Sequence, residues 1–319
     1  VVALAGQFGG AKLADGLYRL RGEEFAAVVN TGDDYEHLGL AFSPDLDTML
    51  YTLGGLANPA AGWEPAGESY ALAGMLKTLG GYEGIKFGDK SLAAPMLRAE
   101  GLAAGRRLTD ITLDFARNLG IVGRVLPMSD ERVRTHVLTD DGAVTFLEYF
   151  MQLACEPAVR GFQYAGAEAA RIPQQVATAL DAPDLEAVVI CPANPYHSIR
   201  PILEVPGMRE LLRRRGAPVI AVTPIVGGKA VRGSAGKMMR DLGHEASARR
   251  VALEYLRLID GFVIDAEDEA LADGIVASGI EVHLAQTVMR TVEDRVALAR
   301  NVLDFAQAIR DKKVREAEE

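Results

Sequence analysis

Four aspartates fall within fifteen residues: Asp33 and Asp34, then Asp45 and Asp47 in the run Ser43-Pro44-Asp45-Leu46-Asp47-Thr48. Carboxylates this crowded repel one another unless they are solvated, hydrogen-bonded or bound to a cation. Hard oxygen ligands suit Mg²⁺ bridging to phosphates, so at least one of the four is expected in a metal or catalytic role. A helix start competes with that reading. Ser43 or Asp45 would cap a helix from Met49 to Leu56, where the dipole favours acids. Both readings can hold for different members of the group.

Two glycine-rich loops offer a partner for such a cation. The first, Gly6-Gln7-Phe8-Gly9-Gly10-Ala11-Lys12, would let backbone N–H groups approach a phosphate at a helix start. It matches neither the dinucleotide fingerprint nor a Walker loop, and a plain tight turn explains it equally well. The second, Gly227-Gly228-Lys229, repeats the combination of close backbone approach and a positive charge. The five histidines, His37, His136, His197, His244 and His283, have no ligand spacing, which argues against zinc. Among them His197 alone lies in a loop expected at the site. Trp63 reads as packing rather than as a cover for a ring. Lys86 reads by default as a surface lysine.

The elements that must position these loops are short apolar runs alternating with helical spacing. The strand candidates are 1–5, 25–29, 187–191 and 218–222, with weaker ones at 261–265 and 280–284. Such continuous runs suit strands buried on both faces. Helices are expected at 207–215, 246–258 and 292–309. The alternation predicts an α/β fold, a Rossmann-like, doubly wound and mostly parallel sheet. Residues 1–60 and 162–310 would form the nucleotide-binding core. Residues 61–161 would form a helical or α+β insertion or cap, with helices at 68–80, 90–103 and 109–118. A charged tail, 311–319, would be a frayed helix end. Ligands bind such sheets beyond the carboxyl ends of the strands. The loops beginning at Gly6, Asn30, Pro192 and Thr223 should therefore meet on one rim.

The bulk properties narrow the partners. The chain has 319 residues and a net charge of −10, which excludes a surface built to coat nucleic acid. No run of residues approaches a membrane span. The opening VVALAG reads as a strand rather than a signal peptide. Cys155 and Cys191 read as free thiols in a reducing cytoplasm. A nicotinamide-dependent oxidoreductase is disfavoured, because the first loop lacks its fingerprint and the Asp33-Asp34 pair would repel a pyrophosphate without a metal.

Taken together these motifs resemble the CofD-type 2-phospho-L-lactate transferases of coenzyme F-420 synthesis. The resemblance runs from residue 1 to about 310. It rests on Ala11-Lys12-Leu13, Val28-Val29-Asn30-Thr31-Gly32-Asp33-Asp34 and Ser43 to Thr48 running into Leu50-Tyr51. Further along it rests on Leu126-Pro127-Met128-Ser129-Asp130, Asn194-Pro195 with Ser198-Ile199, Pro224-Ile225-Val226-Gly227-Gly228 and Gly233 to Met239. It implies transfer of a phospho-acid from a guanosine diphosphate-linked donor to the deazaflavin alcohol Fo, with GMP released, Mg²⁺ required and a homodimer as the working form. By the same resemblance Gly6, Gly9, Gly10, Lys12 and Asn30 belong to the phosphate side. Asn194, Ser198, Pro224, Gly227, Gly228 and Lys229 belong to the nucleotide side. Asp33, Asp34 and Asp45 surround the metal, Asp45 and Asp47 are the catalytic pair, and Asp47, Tyr51 and Lys86 contact Fo.

The chain departs from the pattern at four places. Gln7 replaces a usual glycine, Ala193 a common serine, and His197 a small or branched residue. Lys90-Ser91-Leu92-Ala93-Ala94-Pro95 stands where R-D-L-A-T-H is common. These departures leave open whether the acid is phospholactate or one derived from phosphoenolpyruvate or 3-phosphoglycerate. They also leave open a guanine-nucleotide-binding regulatory relative on the same fold, without Fo transferase activity.

Overall fold

The computed structural model describes residues 1–319 except 82–86, 215 and 319, with the backbone alone at 7, 317 and 318. Seven short strands form one parallel sheet: β1 (Val2–Ala5), β2 (Ala26–Val29), β3 (Arg124–Pro127), β4 (Val188–Ile190), β5 (Val219–Val222), β6 (Gly261–Asp265) and β7 (Glu281–Ala285). Their spatial order is β7-β6-β5-β4-β1-β2-β3. The expected α/β, doubly wound architecture is therefore present. Strand order reverses between β1 and β4, and that switch point opens the crevice in which such sheets bind ligands.

The apolar runs are continuous because both sheet faces are covered. Along β1, Val2 and Leu4 enter one apolar cluster while Ala3 and Ala5 enter the other. The second cluster is closed by α1 (Gln7–Arg21), α2 (Pro44–Leu53), α4 (Leu108–Asn118) and α5 (Val292–Glu318), through residues such as Leu13, Met49, Ala116 and Val302. The first is closed by Ile202, Met208, Met238 and Val251 from the helical segments of 200–254. A further helix, α3 (Ala93–Ala103), packs beside the hairpin strand Leu40–Phe42.

Several details differ from the sequence reading. Helix α2 begins at Pro44 rather than Met49, since proline is well suited to the first helical turn. Ser43 occupies the capping position without a side-chain cap bond, its hydroxyl being donated to Asp34. Helix α5 continues to Glu318, through the segment expected to fray. Strand β3 lies inside the stretch expected to be an insertion, yet it is the edge strand of the main sheet, paired with β2. Four residues ending in proline do not announce a strand, and the edge position tolerates the missing N–H. The rest of that stretch supplies helices and a three-stranded antiparallel sheet of Arg134–Thr139, Gly142–Thr145 and Gly161–Ala165.

Candidate active site

At the switch point the chain is packed so closely that side chains are excluded. Gly6, between β1 and α1, has extended backbone. A Cβ there would lie 2.7 Å from Asp45 Oδ2 and 2.8 Å from the Ser198 Cβ. Residues distant in sequence thus share one rim: Gly6 after β1, Asn30 after β2, Asp45 at the start of α2 and Ser198 after β4. Asn30 joins them. Its fully buried amide donates to Asp45 Oδ2 at 2.9 Å and to the His197 carbonyl at 3.2 Å, and its Oδ1 accepts from the Gly32 N–H at 2.8 Å.

A cleft of about 400 Å³ runs outward from this rim. Asp33, Asp45 and Asp47 line it; Asp34 does not and lies behind the wall. Asp33, Asp34 and Asp45 each have an engaged oxygen, and Asp47 has both engaged. Asp33 Oδ2 is 3.0 Å from His197 Nδ1, and Asp34 Oδ2 accepts from Ser43 Oγ at 2.7 Å. Asp47 is clasped by both terminal nitrogens of Arg98, which also donates to the Ala41 carbonyl at 2.9 Å. The second oxygens of Asp33 and Asp34 are buried without a hydrogen bond among the described residues. Burial raises the Asp33 carboxyl well above its ordinary pKa, against the polar groups of Thr135 and Asn30 beside it. Burial raises Asp34 to about 8, opposed by the Arg134 guanidinium and the Ser43 hydroxyl. Burial also raises Asp47, with Arg98 opposing it. His197 is lowered to about 3 by burial, so its imidazole is neutral.

The expected trio of metal carboxylates is not a ligand set. Among the described residues no group of three or more His, Cys, Asp or Glu side chains is arranged around one metal position. The engaged oxygens of Asp33, Asp34 and Asp45 turn toward three different partners, which is the physical reason. One or two carboxylates still fit Mg²⁺, which keeps waters and takes its remaining ligands from phosphates.

The second glycine loop is not at this rim. Gly227 and Gly228 form the tight turn between strands Ile225–Val226 and Lys229–Ala230, both with positive φ, as such hairpins require. The Gly227 N–H points at the Asp268 carboxylate, 3.2 Å from each oxygen, and a Cβ on Gly227 would collide with Glu267. An acidic neighbourhood with its amide already donated does not attract phosphate. Lys229 is exposed, and none of Pro224, Gly227, Gly228 and Lys229 lines the cleft. The cause is topological: β5 is one strand beyond the switch point. The chain returns to the cleft only at Arg232, Gly233 and Ser234.

The first loop is used in part. A Cβ on Gly9 would collide with the Pro192 carbonyl, and one on Gly10 would sit 3.3 Å from the Ala5 methyl, so close packing explains both glycines. Lys12 donates to the Met289 carbonyl at 2.9 Å, away from the rim, and burial followed by the charges of Arg295 and Arg232 lowers its pKa. Asn194 is occupied in capping: its Oδ1 accepts from the Tyr196 N–H at 2.9 Å, and its amide faces Met238 Sδ. Tyr51 lines the cleft, with burial raising the pKa of its hydroxyl. Lys86 lies outside the described residues.

The outer cleft is aromatic. Tyr35 stacks on Phe42 with centroids 4.8 Å apart and planes within 2°, and Phe42 stacks on Phe87 at 4.5 Å. Trp63 lines the same cleft with 45% of its surface exposed, so it is a wall residue rather than core packing. Opposite, Phe146 stacks on His197 at 3.9 Å. Arg232 spans the mouth, its guanidinium 4.1 Å from the Phe8 ring centroid and donating to the Ala61 carbonyl at 3.0 Å. Sequence reasoning missed Arg98, Arg134, Phe146 and Arg232. The helix carrying Arg98 was expected, but no local pattern distinguishes a buried arginine from a solvated one.

The model of the family described as 2-phospho-L-lactate transferase CofD matches residues 1–296. A phosphoenolpyruvate transferase of Kitasatospora aureofaciens is 39% identical, over 97% of this chain and 98% of that protein. A 2-phospho-L-lactate transferase of Methanopyrus kandleri is 37% identical, again over 97% and 98%. Among solved structures, a UPF0052 family protein of Bacillus halodurans has a TM-score of 0.60 over 95% of this chain and 98% of its own, at 17% identity, and so shares the fold.

Proposed function

Because the chain belongs to the 2-phospho-L-lactate transferase CofD family and is a transferase, we propose that it moves a three-carbon phospho-acid from a guanosine diphosphate-linked donor to the terminal hydroxyl of the deazaflavin alcohol Fo. The acceptor oxygen forms a bond to the phosphorus carrying the acid, the bond from that phosphorus to the bridging oxygen breaks, and GMP leaves. The observation that carries this reading is the division of one cleft into two chemistries. Asp33, Asp45 and Asp47 line it, with Asp45 packed against Gly6 at the N-terminal end of α1, and the stacked rings of Tyr35, Phe42 and Phe87 line it as well. The first suits a phosphate–cation pair, the second a planar ring system.

Asp33, whose second oxygen has no hydrogen bond, would hold Mg²⁺, which when bound would neutralise charge on the donor phosphates. The N-terminal end of α1 at Gly6 favours the same anionic group. Asp45 is the better candidate to take the acceptor's proton, since Asp47 is tied to Arg98. Tyr35, Phe42, Phe87 and Tyr51 would orient the deazaflavin, and Ser198 borders the donor's nucleotide side. In-line positioning and charge neutralisation are what such a transfer chiefly needs.

Among the described residues no helix is long and apolar enough to cross a membrane. We place the enzyme in the cytoplasm, working as a homodimer; light scattering during size-exclusion chromatography tests the second point. The decisive experiment incubates the protein with Fo, Mg²⁺ and, in turn, guanylylated phospholactate, enolpyruvyl phosphate and phosphoglycerate, and reads the products by mass spectrometry. A coupled product with one of them is expected. None with any donor rejects the proposal.

A further inference from the structure

His197 has no part in the transfer as written above, yet it is built into the floor of the cleft. It is 2% exposed. Its Nδ1 lies 3.0 Å from Asp33 Oδ2 and 3.3 Å from Ser198 Oγ. Its ring lies on Phe146, with centroids 3.9 Å apart and planes 19° from parallel. A carboxyl group on its own rotates about its Cβ–Cγ bond, and its two oxygens exchange places. At Asp33 one oxygen is fixed by the imidazole, while the other, Oδ1, is buried without a partner at a residue that lines the cleft. The imidazole is itself prevented from rotating by the Phe146 ring. Two contacts therefore set one carboxyl orientation.

We propose that His197 is a positioning residue: held by Phe146, it fixes Asp33 so that Oδ1 is presented to the cation that accompanies the donor phosphates. This rests on the transferase reading for the identity of the donor, but not for the cation. Partners that orient a ligating carboxylate change metal affinity by roughly 10- to 100-fold when removed. The unsatisfied Oδ1 gives the direction, because leaving it buried and unpaired costs stability that a cation would restore.

The test compares His197→Phe, which keeps a ring to stack on Phe146 but lacks the nitrogen, with His197→Asn, whose amide can reach the Nδ1 position. Mg²⁺ is titrated in the presence of GDP and followed by the shift in melting temperature, and donor KM and kcat are measured separately. His197→Phe is expected to raise the half-saturating Mg²⁺ concentration about 10- to 100-fold and to raise donor KM, with the KM for Fo unchanged. His197→Asn is expected to stay close to wild type. If His197→Phe does not fold, His197→Gln replaces it, since its amide reaches past the Nδ1 position. A wild-type titration curve for His197→Phe, an Asn variant as weak as the Phe variant, or a wild-type protein that ignores Mg²⁺ each overturns the assignment. Should wild type couple no donor to Fo, the transferase reading falls while the Mg²⁺–GDP titration still decides the role of His197.

Discussion

Arg98, on α3, reaches across to α2 and holds the carboxylate of Asp47 with both of its terminal nitrogens. The guanidinium is 1% exposed, so the pair stands almost entirely out of water. Burial works against the arginine's charge, but the Asp47 carboxylate beside it raises its pKa above the ordinary value. Removing one partner of such a pair leaves a buried charge and costs roughly 3–5 kcal/mol. Arg98→Met should therefore destabilise the protein by about that amount in urea unfolding. The double variant Arg98→Met with Asp47→Leu should recover much of the loss. If the double variant is no more stable than Arg98→Met alone, the pair does not set the cost.

The same contact separates the two aspartates of α2 in function. Asp45→Asn should lower kcat by roughly 100-fold or more, in the range expected for a lost proton acceptor, with little change in melting temperature. Asp47→Asn should lose more stability and less turnover. Steady-state kinetics beside thermal melts would show it, and the reverse ranking would return the proton-accepting role to Asp47.

The two glycine loops should also part company. Gly9→Ala pushes a methyl group into the Pro192 carbonyl, and overpacking of this kind costs about 1–3 kcal/mol. Gly228→Ala meets no close neighbour inside 3.4 Å but must adopt a φ of +71°, a strain of roughly 1–2 kcal/mol. Turnover per folded molecule should be unchanged for Gly228→Ala, because the hairpin lies away from the cleft. A large fall in its donor affinity would put the second loop back at the phosphates.

Without divalent cations, Asp34 should make the protein less stable as pH rises. Its carboxyl is raised from 3.8 to about 8 by burial. Between those values the folded chain holds a proton that the unfolded chain has released, so stability falls with increasing pH. The contribution is complete below 3.8 and is lost as pH passes about 8. Asp34→Asn holds no titrating proton and should show a shallower decline in urea midpoints measured in EDTA. Parallel curves for variant and wild type would remove Asp34 as the source.

How far these features could be read without coordinates follows from the range of the forces that make them. The six apolar runs of the central sheet were readable because burial on both faces writes itself into neighbouring residues. Strand β3 was not, since an edge position asks little of its sequence. The convergence of Gly6, Asn30, Asp45 and Ser198 was also readable, because strand order and loop placement follow general rules. The displacement of Gly227 and Gly228 was not: a two-glycine turn looks the same whether it faces a phosphate or Asp268. Nor was the partner of Asp47, which lies 51 residues away on another helix.

Strand β3 also decides how the cleft is framed. It divides the excursion from the sheet into two, one leaving after β2 and one leaving after β3. The first carries Tyr35, Phe42, Trp63 and Phe87; the second carries Phe146 and Phe150. The binding cavity is accordingly held between two separately rooted jaws that share a single peg of backbone. Remodelling one jaw to suit a different ring or acid leaves the anchorage of the other in place, so a common scaffold can exchange substrates without rebuilding its floor.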